Sequence, residues 1–497
     1  MTSFKKALFL FALAFCVAAC GGSSPDTPEP VKPDPVKPTP EEPTPEEPQQ
    51  DIEKNRYYFT QAYVGLFAGE SAETELRLDG KKYDLAGNAD NVTFSSDNPS
   101  IATVDEKGKI TGIKVGHTVI NAIDKNKAST EIYVRVYPEG FLKYKSPAGN
   151  DVPIIAWFTK LTSQLEYNTL RQCGFNMATS TSSVSNQYEE FLVYAKNAKV
   201  KLILDGLDPA THIDCPGLGM YFAADEPATD NATLRSFRSN IEYYNKVDPG
   251  HPVYINFSWH ECDDYVKILE NIPLNFLSYD HYCIRNSGLR TEFYFEISDA
   301  RKAANIMAVP FWAFTNSTEH KDYPRPTIDH LRFQLFADMV CGAQAYQFFT
   351  YSLPMGKDAD MEYIVGPLDS QGNQTDIYFL CQQVIGEIKN YMQFLHGAQN
   401  IWIMGNADSC FGKYDEKDLP YPLTSVKSSG QYIISHSCNE GHEYLLVFNA
   451  SYKQSNSITL NFKDKVQRIG DMGSLSEISG ATTVSLSPGN IAIFKLN

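Results

Sequence analysis

The chain has 497 residues and a formal net charge of −17 at pH 7. That length allows several domains, and an acidic balance with no basic cluster in the folded part argues against nucleic acid and anionic lipid as ligands. Aromatic residues make up 12% of the chain, with 29 Tyr and 29 Phe, a level that suits sugar-binding surfaces and large cores alike.

Lys5 and Lys6 precede an apolar run from Ala7 to Ala19 that is too short for an ordinary membrane-spanning helix. Val17-Ala18-Ala19-Cys20 closes this run and resembles the lipobox of bacterial lipoprotein signals. The resemblance implies cleavage before Cys20 and lipidation of its thiol, so 1–20 reads as a lipoprotein signal peptide. Residues 21–55 alternate Pro with Asp, Glu, Lys and Thr and hold almost no large apolar side chain. Such a segment cannot bury a core and reads as an extended tether. Gly21-Gly22 after the cysteine is compatible with the outer membrane of a Gram-negative bacterium, and the tether with display at the cell surface. The expectation is a lipid-anchored monomer.

Residues 56–138 read as all-β, with alternating runs broken by turns such as Asp79-Gly80 and Asp97-Asn98-Pro99. The stretch Ser96-Asp-Asn-Pro-Ser-Ile-Ala-Thr-Val-Asp105, then Gly108-Lys-Ile-Thr-Gly112, Gly116 and Thr118-Val-Ile-Asn-Ala122, resembles the group 2 bacterial immunoglobulin-like domain. That resemblance implies a small β-sandwich serving as a spacer or adhesive module.

Residues 139–395 alternate strand and helix patterns. Strand candidates are 154–158, 176–180, 201–205, 220–224, 252–257, 276–279, 307–314 and 343–350, with helical patterns at 163–173, 186–198, 233–246, 263–271, 291–304 and 327–341. Eight strands with intervening helices predict a closed α/β TIM (β/α)8 barrel. A doubly wound open sheet is the alternative, and no G-x-G-x-x-G or Walker pattern follows the first strand to support it. Residues 396–497 return to short alternating runs and read as a C-terminal β-sandwich.

The fourth strand candidate ends in two acids, Asp225 and Glu226, followed by Pro227. Proline cannot continue a strand ladder and often opens a helix. The acids therefore fall at the carboxyl end of a buried strand, where barrel active sites are built. A carboxylic acid held half-buried there can protonate a glycosidic oxygen. The competing reading makes Asp225 a helix cap and Glu226 a favourable charge at the helix start. The sixth strand ends in Ser278-Tyr-Asp-His-Tyr282, which gathers an acid, an imidazole and a phenol; the structural alternative pairs Asp280 with His281 to lock the loop. Trp157, Trp259 and Trp312 lie near strand ends, where their rings would pack against the C–H faces of pyranose sugars. Asp205, Asn256, Asn316, Glu319 and Tyr351 complete the strand-end candidates.

From Gly219 to Tyr351 the chain resembles glycoside hydrolase-like barrels of the broad clan that includes barrel β-galactosidases. The resemblance lies in ordered blocks: Gly219-Met-Tyr-Phe-Ala-Ala-Asp-Glu-Pro227, Asp248-Pro249 with Pro252-Val-Tyr-Ile-Asn256, Tyr279-Asp-His-Tyr282, Arg325-Pro-Thr with Leu331-Arg332, and Gly342-Ala-Gln-Ala-Tyr-Gln-Phe-Phe-Thr-Tyr351. The clan's fourth strand ends in Asn-Glu, so the resemblance implies the acid/base role for Glu226 and a contact to the sugar's 2-hydroxyl for Asp225. Clan enzymes also carry a nucleophilic Glu at the end of the seventh strand. Here Glu319 lies beyond that place, and Asp280 is the other candidate for the second carboxylate. With the strand-end and aromatic candidates, the expected substrate-binding set is Asp225, Trp157, Asp205, Asn256, Trp259, His281, Tyr282, Trp312 and Tyr351.

The leading reading is a lipid-anchored glycoside hydrolase acting on a poly- or oligosaccharide. The alternative is a surface glycan-binding protein that does not cut, and an adhesin is third. No cofactor is implied. The eight cysteines beyond Cys20 form no C-x-x-C, no His cluster has zinc spacing, and the thiols read as free, with Cys410 and Cys438 the pair that could bridge.

Overall fold

Apolar side chains that alternate between two cores set the centre of the fold. In β1 (Ile154–Thr159), Ile155 and Trp157 face the barrel interior, while Ile154 and Ala156 join the core under the helices. The same period of two runs through β2 (Met177–Ser180), β3 (Lys201–Leu204), β4 (Leu218–Asp225), β5 (Val253–Ser258), β6 (Leu277–Asp280), β7 (Phe311–Asn316) and β8 (Tyr346–Phe349). These strands pair in parallel from β1 to β8, and β8 closes on β1. The expected barrel is present, with each strand within a few residues of its predicted place. The computed structural model describes residues 57–85, 92–125, 127–180, 187–353, 361–412 and 415–497. The predicted signal peptide, Cys20 and the tether lie outside them.

Helices α1 (Gln164–Cys173), α2 (Tyr188–Ala198), α3 (Asn231–Val247), α4 (Cys262–Asn271), α5 (Phe293–Ile306), α6 (Ile328–Val340) and α7 (Asp376–Leu395) surround the strands. Only a single 3-10 turn, Pro209–Thr211, stands between β3 and β4. Helix α7 is not among the predicted helices; Thr375 caps its start, and Ile377, Cys381, Ile385, Ile388, Met392 and Leu395 form its buried stripe.

Before the barrel, strands Tyr63–Leu66, Ser129–Val136, Gly116–Asp124 and Val92–Ser96 form a four-stranded sheet, backed by two small three-stranded ones. Their inner faces bury Phe59, Leu66, Ile110, Ile120, Ile132 and Val134. This sandwich is docked firmly rather than held as a loose spacer. Arg135 donates to the carbonyls of Leu269 and Met307, both at 2.9 Å, and Tyr137 donates to Ala308 O at 2.6 Å. Those carbonyls sit at the carboxyl ends of α4 and α5, where a cation is favoured.

After the barrel come β9 (Gln399–Gly405), β10 (Leu423–Ser428), β11 (Tyr432–Asn439), β12 (His442–Asn449), β13 (Asn456–Ile469), β14 (Leu475–Leu486) and β15 (Ile491–Lys495). Strand β13 pairs with β10 through its first half and with β15 at its end, so the seven-stranded sheet curls into the expected sandwich. The described residues form one compact unit. None of the eight cysteines from Cys173 to Cys438 is in a disulfide, so Cys410 and Cys438 are not bridged.

Candidate active site at the carboxyl end of the barrel

Strict alternation from Met220 would point Ala224 and Glu226 inward and Asp225 outward. The register prevents this: Phe222 pairs with Tyr254 and Ala224 with Ile255, which leaves Ala223 without a partner. This bulge re-aims the end of β4, as bulges beside active sites commonly do. Ala224 packs toward the helix core, and Asp225 falls opposite Asn256 on the inner face. Glu226 follows with φ +45°, an uncommon backbone for a residue with a Cβ, and its N–H donates to Asn256 O at 2.9 Å. Neither acid caps α3. That role belongs to Asp230, which accepts from Ala232 N at 2.8 Å and Thr233 N at 3.1 Å.

Beneath the acids runs a chain of buried polar groups. Asn256 Nδ2 donates to Asp225 Oδ1 at 3.0 Å, and Ser278 Oγ donates to Asn256 Oδ1 at 2.9 Å. Gln347 Nε2 donates to Ser278 Oγ at 2.8 Å, and Tyr254 OH donates to Gln347 Oε1 at 2.6 Å. Trp157 Nε1 reaches the same Gln347 oxygen at 3.4 Å. Each of these residues comes from a different inward-facing strand position, so the barrel itself sets the geometry.

Asp280 ends β6, its buried carboxyl beside those of Glu226 and Asp225. Like charges gathered in a buried site favour keeping a proton on one of them. Burial holds the Asp280 carboxyl well above the usual carboxylate range; the charges of Glu226 and Asp225 push the same way, and Asn256 opposes them. Asp280 Oδ1 is buried and meets no donor. Asp225 has an exposed edge, yet loss of water from its carboxyl raises its pKa, against the Asn256 hydrogen bond and with the Glu226 charge adding. Glu226 is exposed at the mouth, not half-buried as the strand-end position suggests. The arrangement can hold one proton on a buried acid and present it through an exposed one.

Tyr282 closes one side. Its ring packs on Phe349 at 5.3 Å, Tyr323 at 5.8 Å and Phe314 at 6.3 Å. Burial, then the charges of Asp280 and Asp225, hold its phenol well above the usual range, so it is a hydrogen-bond donor. Phe158, Phe222 and Phe349 join it as partly buried rings against the interior core. The sequence search for sugar platforms looked to Trp and passed over these Phe rings. Phe222 and Phe349 stand on the inward parity of their strands, whereas Phe158 has the outward parity of Ile154 and Ala156 and reaches the interior where the register of β1 shifts, at φ +50°.

Several candidates sit elsewhere. His281 faces away from the acids because it alternates with Asp280 and Tyr282; it meets Glu296 of α5, and burial lowers its pKa to about 3. Trp312 is fully buried, low in the barrel, stacked on Phe276 at 4.1 Å, with Tyr144 from the segment before β1 packed against it. Trp157 is also core, 4% exposed among Phe158, Phe222, Tyr254 and Phe314. Tyr351 points into the helix layer between Phe175 and Tyr378. Glu319 lies on a two-residue strand paired with Tyr363–Val365, its carboxylate 3.8 Å from Arg325. The end of β7 carries Asn316, buried, accepting from Thr318 N at 3.2 Å. Asp205 is half-buried and accepts from Tyr188 OH at 2.7 Å. Trp259, 38% exposed just past β5, lies beside Asp299 of α5.

Two features lie away from this mouth. A groove of about 730 Å³, lined by Arg135, Phe141, Arg238, Leu269 and Pro273 among others, opens at the opposite end of the barrel. His436, Cys438 and Glu443 are buried together with ligand atoms within 4.8 Å of one another, close enough for a metal ion. Glu443, however, already takes hydrogen bonds from Tyr58 OH at 2.8 Å and His436 Nε2 at 2.7 Å and pairs with Arg77. That guanidinium supplies the countercharge a cation would bring, so the trio reads as an ionic lock between the N- and C-terminal sandwiches.

A family model for the bacterial Ig-like domain (group 2) matches residues 78–134. No curated protein matches the chain by sequence. Among solved structures it is similar to a family 39 glycoside hydrolase from Bacteroides cellulosilyticus WH2, at 8% identity and a TM-score of 0.35, covering 89% of this chain and 100% of that one. It is also similar to a β-galactosidase from Halorubrum lacusprofundi, at 10% identity and a TM-score of 0.40, covering 48% and 58%. A third is an Ig-like domain-containing GH10 xylanase from termite gut, at 9% identity and a TM-score of 0.33, covering 67% and 100%. These likenesses concern layout; what the mouth can do follows from its own groups.

Proposed function

We propose that this protein hydrolyses glycosidic bonds of an oligo- or polysaccharide at the carboxyl end of its barrel. The observation that carries the reading is the gathering of Glu226, Asp280 and Asp225, carboxyl groups from the ends of β4 and β6, beside a wall of aromatic rings. Glu226, exposed, is the group that meets the glycosidic oxygen and hands it a proton. Asp280, buried, holds that proton in the resting state. Asn256 and the Ser278–Gln347–Tyr254 chain beneath it keep Asp225 in place. We further propose that Cys20 carries a lipid, that the tether displays the protein at the outer membrane surface, and that it acts there as a monomer.

A second reading, glycan binding without cleavage, is favoured by one feature: β7 ends in Asn316, without an acid. One assay separates the two. The full chain is presented with a panel of plant, host and microbial glycans, and released sugar and bound ligand are measured together. Release by the wild type and not by Glu226→Gln supports hydrolysis. Binding without release, unchanged in Glu226→Gln, supports the binding reading.

A further inference from the structure

The polar chain beneath the acids has a direction, and one side chain decides it. The indole N–H of Trp157 can only donate. It meets Gln347 Oε1 at 3.4 Å, so the amide must turn its oxygen that way. Gln347 Nε2 is then left to donate to Ser278 Oγ at 2.8 Å. Ser278 accepts there and passes its single proton to Asn256 Oδ1 at 2.9 Å. That turns Asn256 Nδ2, again only a donor, toward Asp225 Oδ1 at 3.0 Å. Tyr254 OH also reaches Gln347 Oε1 at 2.6 Å and Ser278 Oγ at 3.1 Å, but a hydroxyl can donate or accept and imposes no direction. Ser278 and Gln347 are wholly buried and Asn256 nearly so, so a bond that points the wrong way finds no bulk water to replace it.

We propose that Trp157 is a positioning residue of the mouth: its indole N–H sets the direction of the chain that runs from β1 through β8, β6 and β5, and so holds Asp225 of β4 as an anion. Trp157 acts through these groups and not by contact with a substrate, since its ring is packed among Phe158, Phe222, Tyr254 and Phe314. Without the N–H, the same residues gain a second arrangement. Gln347 turns over and donates to Tyr254 OH, which donates to Ser278. Ser278 donates to Gln347 Oε1, and Asn256 Nδ2 donates to Ser278. Asn256 Oδ1 then faces Asp225. This arrangement satisfies every group only when Asp225 has taken up a proton and donates its own O–H to Asn256. With the N–H in place, the same arrangement sets the indole donor against the amide donors of Gln347 in a buried site, which excludes it.

The effect on catalysis rests on the glycosidase reading above; the charge of Asp225 does not. Glycosidic cleavage passes through a transition state with positive charge on the sugar ring. An anion fixed in the mouth stabilises that charge without having to reorganise as it forms. A neutral Asp225 loses this, so turnover requires the direction that Trp157 sets.

The test follows the Asp225 carboxyl by NMR across pH, in the full chain made with aspartate that carries carbon-13 at the side-chain carboxyl. The Asp225 signal is identified by its loss in Asp225→Asn. The titratable groups that share charge with Asp225 are Glu226, Asp280, Tyr282 and Tyr254, and Trp157→Phe alters none of them. Trp157→Phe is expected to raise the Asp225 midpoint by about one pH unit, the worth of one hydrogen bond. Tyr254→Phe removes the other donor to the same Gln347 oxygen and keeps the indole, so the midpoint is expected to stay at its wild-type value. Should Trp157→Phe not fold, Trp157→benzothienylalanine, with sulfur in place of the N–H in a ring of the same shape, makes the same comparison. On any glycan that the wild type cleaves, the acid limb of the rate profile is expected to rise with the midpoint in the Trp157 variant and not in Tyr254→Phe. An unmoved midpoint in the Trp157 variant, or equal movement in both, overturns the inference and leaves the glycosidase reading standing. The expected movement in a protein that releases no sugar supports the inference and overturns that reading.

Discussion

Asn256 Nδ2 lies 3.0 Å from Asp225 Oδ1, and Asn256 Oδ1 accepts from Ser278 Oγ at 2.9 Å, so one buried amide joins the ends of β4 and β6 through β5. Its orientation is fixed at both ends, and Asp225 inherits that orientation. Asn256→Ala removes the donor to Asp225 and leaves the Ser278 hydroxyl without its acceptor. The expected cost is about 1–3 kcal/mol in stability, read by urea unfolding, and a loss of turnover larger than that seen for Asp205→Ala.

Asp280 is expected to trade stability for chemistry. Its folded pKa stands above the ordinary value of 3.8, so the folded state binds its proton more tightly than the unfolded chain does. The stability this contributes is complete below 3.8 and is lost as pH rises through the raised folded pKa. Asp280→Asn removes that loss and is expected to gain about 0.5–2 kcal/mol at pH 7 while abolishing turnover. The stability difference from wild type should shrink toward acid pH, measured by thermal unfolding across pH.

Glu443 works in the opposite direction. Burial alone would raise its pKa, but hydrogen bonds from His436, Tyr58 and Arg77 prevail and hold it below the usual 4.5. Its contribution is present above 4.5 and lost as pH falls through the lowered value. Glu443→Gln takes the buried carboxylate from His436 and leaves Arg77 with Glu75 as its acid partner, and is expected to cost about 3–5 kcal/mol. Limited proteolysis of the N-terminal sandwich is expected to accelerate, because Tyr58 and Arg77 belong to that sandwich.

Trp312 and Tyr282 separate core from platform. Trp312→Ala opens a hole beside Phe276 and Tyr254 and is expected to cost about 3–5 kcal/mol. Tyr282→Phe keeps the ring and removes one hydroxyl, so folding should change little while substrate turnover falls. Equal effects on stability from the two changes would contradict this division of labour.

The barrel was legible in the sequence because parallel strands buried on both faces read as continuous apolar runs ended by turn or polar residues. Ile154 to Trp157 and Leu202 to Leu204 are of this kind. The side-chain directions were only partly read. Period two within Ser278 to Tyr282 puts Asp280 and Tyr282 on one face and His281 on the other, but the same count from Phe349 would turn Tyr351 inward, whereas it packs in the helix layer. The bulge at Ala223 leaves no such trace, since neither Gly nor Pro marks it, and without it Asp225 would face the helices. Depth was also hidden: Trp312 is the second residue of β7 and so lies low in the barrel, although its strand ends at the site. The link from Glu443 to Tyr58 and Arg77 spans most of the chain, and nothing local announces it.

The most direct measurement compares wild type and Glu226→Gln on two substrates of one sugar, differing in the acidity of the leaving group. Proton donation by Glu226 predicts a loss of about 10²–10⁴-fold on an alkyl or sugar leaving group and a much smaller loss on a dinitrophenyl one that departs without a proton. Wild-type rates on both substrates in a folded Glu226→Gln protein would contradict the account.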